Sequence, residues 1–312
     1  MEPQITGPGR ITMTAFSATV LIGGMNFIAV KFSNVELAPL FGAGTRFAAG
    51  ALVFFAIARI RGMDLPRGRA LAGAAIYGML GFGLFYALRY FALLGISAGM
   101  TSVILASLPL ITLVLAVLHG QERFTMRGVA GGVLALGGIA VLSLRTLGGD
   151  LPLLPLLAAV AGAFAAAEAT VLVKGFPKSD PITTNAVGMA VGSVGLLLAS
   201  ALFQESWALP GLARTWVALA WLVAVGSVAL FALFLFVIKR WTASASAYAG
   251  TLMPVVTVGM GALLLDEPVT PEVVAGGALV ILGVYVGALS GMRPTARPRV
   301  PAPSAVEDEA LA

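Results

Sequence analysis

The sequence predicts an all-α membrane protein of ten transmembrane helices, arranged as two inverted five-helix repeats with both termini in the cytoplasm. Three observations carry this expectation: composition, the alternation of basic residues, and an internal repeat. Hydrophobic residues fill 59% of 312 positions and charged residues only 11%, whereas a soluble domain carries roughly a quarter charged residues. Apolar runs of about twenty residues, enough to cross a bilayer, recur along nearly the whole chain. The 38 glycines sit largely inside these runs, as they do where helices in lipid approach closely.

The spans fall at 12–31, 39–60, 70–92, 97–119, 127–145, 152–174, 182–203, 215–239, 243–265 and 272–291. The connections are short and leave no room for an inserted soluble domain. Residues 1–11 read as a cytoplasmic N-terminus without a removable signal peptide. Residues 12–146 read as the first repeat, 150–291 as the second, and the Pro- and Arg-rich stretch 292–312 as a disordered cytoplasmic tail.

Orientation follows from the bases. With the N-terminus inside, Arg10, Arg59, Arg61, Arg67, Arg69, Arg123, Arg127, Lys174, Lys178, Lys239, Arg240, Arg293, Arg297 and Arg299 are cytoplasmic. Only Lys31, Arg145 and Arg214 lie outside, while Arg46 and Arg89 fall within spans. This is the positive-inside pattern, repeated at each cytoplasmic loop. The net charge of +5 is thereby explained by topology, and no nucleic-acid partner is expected.

An ungapped shift of 145 residues lays Pro109 on Pro254, Thr112 on Thr257, Glu122 on Glu267, Thr125 on Thr270 and Gly138 on Gly283. Earlier in the chain Pro39, Ala48 and Gly50 fall on Pro181, Ala190 and Gly192, and Lys31 on Lys174. Five spans per unit is an odd number, so the second unit enters the membrane from the opposite side. Inverted repeats of this kind are typical of secondary transporters, though channels use them too. The Glu–x–x–Thr segments, Glu122 to Thr125 and Glu267 to Thr270, read as structural turns in which Thr caps the following helix. Pro271 and Glu272 suit its first turn.

Several residues could carry a substrate. In span 3, Met79, Phe82, Tyr86, Arg89 and Tyr90 share a helical stripe, with Tyr77 opposite. Such a stripe serves packing as often as a site, but two hydroxyls and an arginine need partners. Ser244, Tyr248 and Thr251 share a face of span 9. Pro109 and Pro254 free backbone carbonyls at matched depths, as bending points, ligand-facing breaks or simple kinks. Three ionisable residues lie in spans. Arg89 reads as snorkelling to the surface. Arg46 reads either as an anchor to carbonyls or headgroups or as a ligand for a substrate carboxylate. Glu168 could hold an ammonium, exchange protons, or face a wet vestibule. His119 reads as a solvated loop histidine. Gly128/Gly132 and Gly283/Gly287 have the small-xxx-small spacing of close helix packing, within a chain or across a dimer.

Gly24-Met25-Asn26-Phe27 with Lys31, Arg46-Phe47, Ala87-Leu88-Arg89-Tyr90, Pro109 and Gly120-Gln121-Glu122-Arg123 stand in a characteristic order. Pro254, Asp266-Glu267-Pro268 and Gly276-Gly277 close the second copy. Over residues 12 to 291 the chain resembles the EamA family, the ten-helix branch of the drug/metabolite transporter superfamily. Gly23 stands where that family often has Trp. The resemblance implies a small-molecule exporter with a central cavity lined by spans 1, 3, 4, 6, 8 and 9.

The expectation is a bacterial inner-membrane, multi-pass exporter working by alternating access. Amino acids lead as substrates, aromatic or apolar ones foremost, on Asn26, Met79, Phe82, Tyr86, Tyr90, Glu168, Phe231, Phe234, Tyr248 and Thr251. Multidrug or sugar-derivative transport, uptake, and a channel-like permease are the alternatives. No enzymatic activity and no cofactor are expected: there is no cysteine, one histidine and no Asp-rich motif within a span. The partners are a small-molecule substrate and the lipid bilayer; a monomer suffices, and a dimer stays open.

Overall fold

The computed structural model describes residues 10–121, 126–147, 152–177, 179–240 and 243–286, without the side chains of 142–147, 234, 235, 238–240, 243–248 and 251. Helix α1 runs Arg10–Ser33, α2 Pro39–Ile60, α3 Gly68–Gly95 and α4 Ala98–Leu118. They are followed by α5 (Met126–Leu147), α6 (Leu153–Val173), α7 (Pro181–Leu202), α8 (213–240), α9 (Ala243–Leu264) and α10 (Pro271–Val284). No strand forms among the described residues. Seven helices are long and apolar enough to cross a membrane: α1 to α4, α6, α7 and the 213–233 part of α8. The apolar stretches within α5, α9 and α10 are shorter, Met126–Val141, Leu252–Leu264 and Pro271–Val284.

Helix ends and irregularities repeat with the sequence. Helices α2 and α7 both have 22 residues and begin at Pro39 and Pro181, where proline's missing N–H and fixed φ suit a first turn. Helix α2 is followed by Gly62 at φ 61° and α7 by Gln204 at φ 55°, left-handed residues that turn the chain out of each helix. Gly120 after α4 and Asp266 after α9 are left-handed as well. Helices α3 and α8 each contain a π-stretch, Met79–Leu84 and Trp221–Ala229. Their last residues lie one repeat shift apart. The matched prolines differ: the helix breaks at Ser107 before Pro109, whereas Pro254 lies inside an unbroken helix.

Helices α5 and α10 pack antiparallel through their glycines. A methyl on Gly138 would stand 2.6 Å from the Gly276 carbonyl oxygen, and one on Gly283 would stand 2.6 Å from that of Gly131. The 145-residue shift exchanges Gly138 with Gly283 and Gly131 with Gly276, so the contact is its own image, as a twofold relation demands. The expected spacing partner Gly132 faces open space instead, and Gly287 lies outside the described residues. The packing stripe therefore runs through Gly131 and Gly138, one helical face away from Gly132.

The end of the bundle where α1 begins is called the near end below, and the end where it finishes the far end. Between them the core is aromatic and aliphatic, centred on Phe27, Phe47, Phe54, Phe82, Tyr90 and Leu222.

Candidate functional site

At the near end a cavity of about 550 Å³ opens between the start of α3, the end of α6 and the start of α7. Ala74, Tyr77, Phe176, Thr184, Asn185 and Phe231 are among its walls. Its inner limit is an aromatic layer. The Tyr77 ring meets Phe82 edge-on at 5.6 Å, Phe82 meets Phe231 at 5.9 Å, and Phe231 meets Phe54 at 6.5 Å. Deeper still, Phe82 stacks on Tyr86 at 6.3 Å and Phe47 meets Tyr86 at 4.5 Å. Such offset and edge-on pairs hold one another in register.

The π-stretch of α3 corrects the expected stripe. With more residues per turn than an α-helix, it rotates the residues before it relative to those after. Tyr77, expected opposite Tyr86, joins the aromatic layer, while Met79 turns outward, 46% exposed and beside Gly195. Phe82, Tyr86, Arg89 and Tyr90 remain together as expected.

Above the aromatic layer lies a polar cluster with no water-facing side. Arg46 is fully buried. Its Nε donates to Ser227 Oγ (3.2 Å), its Nη2 to the Gly226 carbonyl (3.2 Å) and its Nη1 to the Tyr90 hydroxyl (3.4 Å). Asn26 Nδ2 donates to the same Gly226 carbonyl at 3.0 Å. That carbonyl belongs to the π-stretch of α8, where the altered backbone pattern makes carbonyls available for side chains. Of the two readings of Arg46, the anchor to carbonyls is present. Arg89 does not snorkel: it is buried, with its guanidinium 3.9 Å above the Phe27 ring and 5.4 Å from that of Tyr86. In the far half of α3, where Asn34 donates to the neighbouring Tyr90 carbonyl (3.1 Å), it has aromatic faces on hand in place of headgroups.

Glu168 lies apart from this cluster. Its Oε1 is 2.9 Å from His119 Nε2, both side chains being about one-third exposed. His119, expected as a solvated loop residue, is therefore a partner of Glu168 across α4 and α6. Gln121 Nε2 donates to the Val171 carbonyl beside it (3.1 Å).

Three carboxylates bridge helices at the far end, and the sequence names the partners of none of them. Glu267, read as part of a turn, accepts from the Ala98 N–H with both oxygens (2.9 and 3.0 Å) and pairs with Lys31 Nζ at 2.8 Å. Glu205 accepts from the N–H groups of Leu40 and Phe41 at the start of α2 (3.1 and 2.9 Å). Glu36 accepts from Gly211, Leu212 and the Thr215 hydroxyl at the start of α8. Each carboxylate thus satisfies open N–H groups at the positive end of a helix from another part of the chain. Thr270 occupies the N-cap position of α10, with Pro271 and Glu272 in the first turn as expected, but its hydroxyl makes no cap. The signal for these contacts was an acid just beyond a helix end, which by itself names no partner.

Tyr248, Thr251, Phe234 and Ser244 fall where side chains are not described, and Glu122 to Thr125 and Gly287 lie outside the described residues. No cluster of three metal-ligating side chains occurs among those described.

The EamA-like transporter family model matches residues 10–144 and again 153–288. An "Uncharacterized transporter" of Archaeoglobus fulgidus is 29% identical over 86% of this chain and 95% of its own. A "Probable amino-acid metabolite efflux pump" of Escherichia coli K12 is 27% identical over 86% of this chain and 91% of its own. The "Uncharacterized inner membrane transporter YedA" of the same organism is 27% identical over 87% and 89%. A solved crystal structure superposes with a TM-score of 0.62 at 18% identity, covering 90% of this chain and 97% of that one, which is a likeness of fold. The two matches of the family model span nearly all of the described helices, and the chain belongs to the EamA-like transporter family.

Proposed function

We propose that this membrane transporter exports small metabolites, amino acids with aromatic or apolar side chains foremost, across a bacterial inner membrane by alternating access. The observation that carries the reading is the layering along the bundle: an open near-end cavity, an aromatic layer, a buried polar cluster, and a stapled far end. A carrier caught open to one side has this arrangement, and a continuous pore does not. The ten helical segments are then ten spans with both termini inside. This sets the near end, with Arg10, Arg59, Arg61, Arg67, Arg69 and Lys174, towards the cytoplasm, where positive charge collects. The self-reciprocal contact of α5 with α10 supports the inverted relation of 12–146 to 150–291. The names of the Escherichia coli relatives support the substrate class and the membrane.

A substrate would enter the cytoplasmic cavity and lay an apolar side chain against Tyr77, Phe82 and Phe231. It would reach the polar cluster as these rings turn, with Pro109 and Pro254 bending their helices as the units rock. Glu168 and His119 flank the cytoplasmic end and offer a place for proton coupling. The test is uptake by reconstituted vesicles of a panel of radiolabelled amino acids, together with planar-bilayer recording. Movement of phenylalanine, tyrosine or leucine without unitary currents is expected. Movement of none would end the substrate assignment, and unitary currents would replace the carrier by a channel.

A further inference from the structure

Arg46 and Arg89 are the only charged side chains buried among the described residues, and no carboxylate is buried with them. None of the ion pairs formed by described residues includes either one. Two positive charges without a counter-ion inside a membrane bundle are costly, and such residues mark paths for polar or charged cargo.

The two arginines are not equivalent. All three nitrogens of Arg46 have acceptors. In Arg89, Nε and Nη2 have none although both are buried. These two N–H groups lie on one edge of the guanidinium, the edge that takes both oxygens of a carboxylate side-on. Its Cζ lies 3.9 Å from the centre of the Phe27 ring and 5.4 Å from that of Tyr86. An arginine packed against rings but without acceptors along this edge is therefore positioned and unfilled there. A purely structural arginine would have turned that edge to a carbonyl, as Arg46 does to Gly226. On the same turn of α1 as Phe27, Asn26 Oδ1 is a buried acceptor without a donor.

We propose that the free edge of Arg89 binds the carboxylate of the transported molecule, which makes the substrate class aromatic or apolar carboxylates, amino acids included. The proposal rests on the transporter reading and narrows it. The rings between the cavity and this edge are Tyr77, Phe82 and Tyr86, each in contact with the next. A molecule with a ring and an acid group fits that path, with its ring against the aromatic layer and its acid on Arg89. For an amino acid, Asn26 Oδ1 supplies an acceptor for the ammonium group. Arg89 is then a substrate-binding residue and Arg46 a positioning residue, which fixes Tyr90 and the π-stretch of α8.

The test uses the purified full-length protein and four matched compounds: phenylalanine, 3-phenylpropionate, 3-phenylpropionamide and phenethylamine. Binding is read by thermal shift and by calorimetric titration. The two acids are expected to bind and the amide to bind at least about tenfold more weakly, since it cannot fill a charged fork. Arg89→Lys should weaken the acids about tenfold, because a point charge replaces a bidentate edge. Arg89→Met should weaken them about a hundredfold while leaving the amide unchanged. If Arg89→Met fails to fold, the acid-to-amide ratio of Arg89→Lys decides the matter.

Equal binding of acid and amide, or an unchanged ratio in both variants, overturns the carboxylate site. If vesicles still move phenylalanine in that case, the exporter reading stands without it. Binding of 3-phenylpropionate through Arg89 with no amino acid moved retains the site and removes amino acids as cargo. A panel in which nothing binds overturns both.

Discussion

At the far end, three carboxylates each reach from one matched half of the chain to the first turn of a helix in the other. At the near end, the polar contacts between the end of α4 and α6 include the His119–Glu168 pair, about one-third exposed, and the Gln121 amide on the Val171 carbonyl. The difference lies in what is neutralised. Glu205 and Glu267 satisfy part-buried helix N–H groups, so removing either leaves two or three donors poorly paired, whereas the Gly211 and Leu212 N–H groups beside Glu36 are exposed to solvent. A His–Glu pair in contact with water returns both partners to solvent when broken. The Glu205 and Glu267 contacts are therefore costlier to break than the His119–Glu168 pair.

That contrast can be tested without background, because the chain has no cysteine. Thr101 is fully buried one turn below the Glu267 cap. Thr101→Cys should resist a membrane-impermeant maleimide applied from the far side. Adding Glu267→Ala should raise its labelling rate more than about tenfold, since charge-assisted bonds of this kind are worth about 2 kcal/mol. Labelling that stays slow would remove Glu267 as a closing element. Next in size, Glu168→Gln should destabilise the protein by about 1 kcal/mol or less and leave far-side labelling unchanged. Unchanged pH-driven transport in that variant would also remove Glu168 as a proton-coupling site.

The smallest effect concerns pH. The Thr215 hydroxyl, followed by the N–H groups of Leu212 and Gly211 and by Arg214, holds the Glu36 carboxyl below its ordinary value. An acid depressed in the folded state contributes fully above its unfolded value and loses that contribution as pH falls through the depressed one. The Glu36 contact should therefore survive mild acidification. Thr215→Val should shift the acid-induced rise in Thr101→Cys labelling to higher pH by less than about one unit. A shift to lower pH would contradict the assignment.

Much of this architecture is legible in the sequence, because helix length and the repeat are written in local patterns. Pro39 and Pro181 open α2 and α7 where the repeat places them, and α4 and α9 begin at Ala98 and Ala243, one shift apart. Phe82, Tyr86 and Phe231 came together because aromatic residues at helical spacing declare a face. The π-stretches left no such trace. Met79–Leu84 contains two glycines and apolar residues that suit an α-helix equally well, so Met79 and Tyr77 were assigned to the wrong faces. The fate of Arg89 depended on Phe27 of another helix, and those of Glu205 and Glu36 on N–H groups some 165 and 175 residues away. Such pairings belong to the assembled bundle and to no window of sequence.

The left-handed residues after α4, α7 and α9 give three of the distant contacts, those of Gln121, Glu205 and Glu267, a common geometric origin. Gly120 precedes Gln121, Gln204 precedes Glu205 and Asp266 precedes Glu267. In each case the chain reverses on one residue, and the next side chain is thrown sideways onto a neighbouring helix. At the near end that reversal falls on glycine, which adopts it without strain. At the far end it falls on Gln204 and Asp266, which hold a conformation costing roughly 1 kcal/mol each. The carboxylates beside them therefore sit on a strained backbone, and in the alternating-access cycle proposed above their release would return part of that strain to the opening motion. Gln204→Gly and Asp266→Gly would remove that strain and make the Glu205 and Glu267 contacts the more durable.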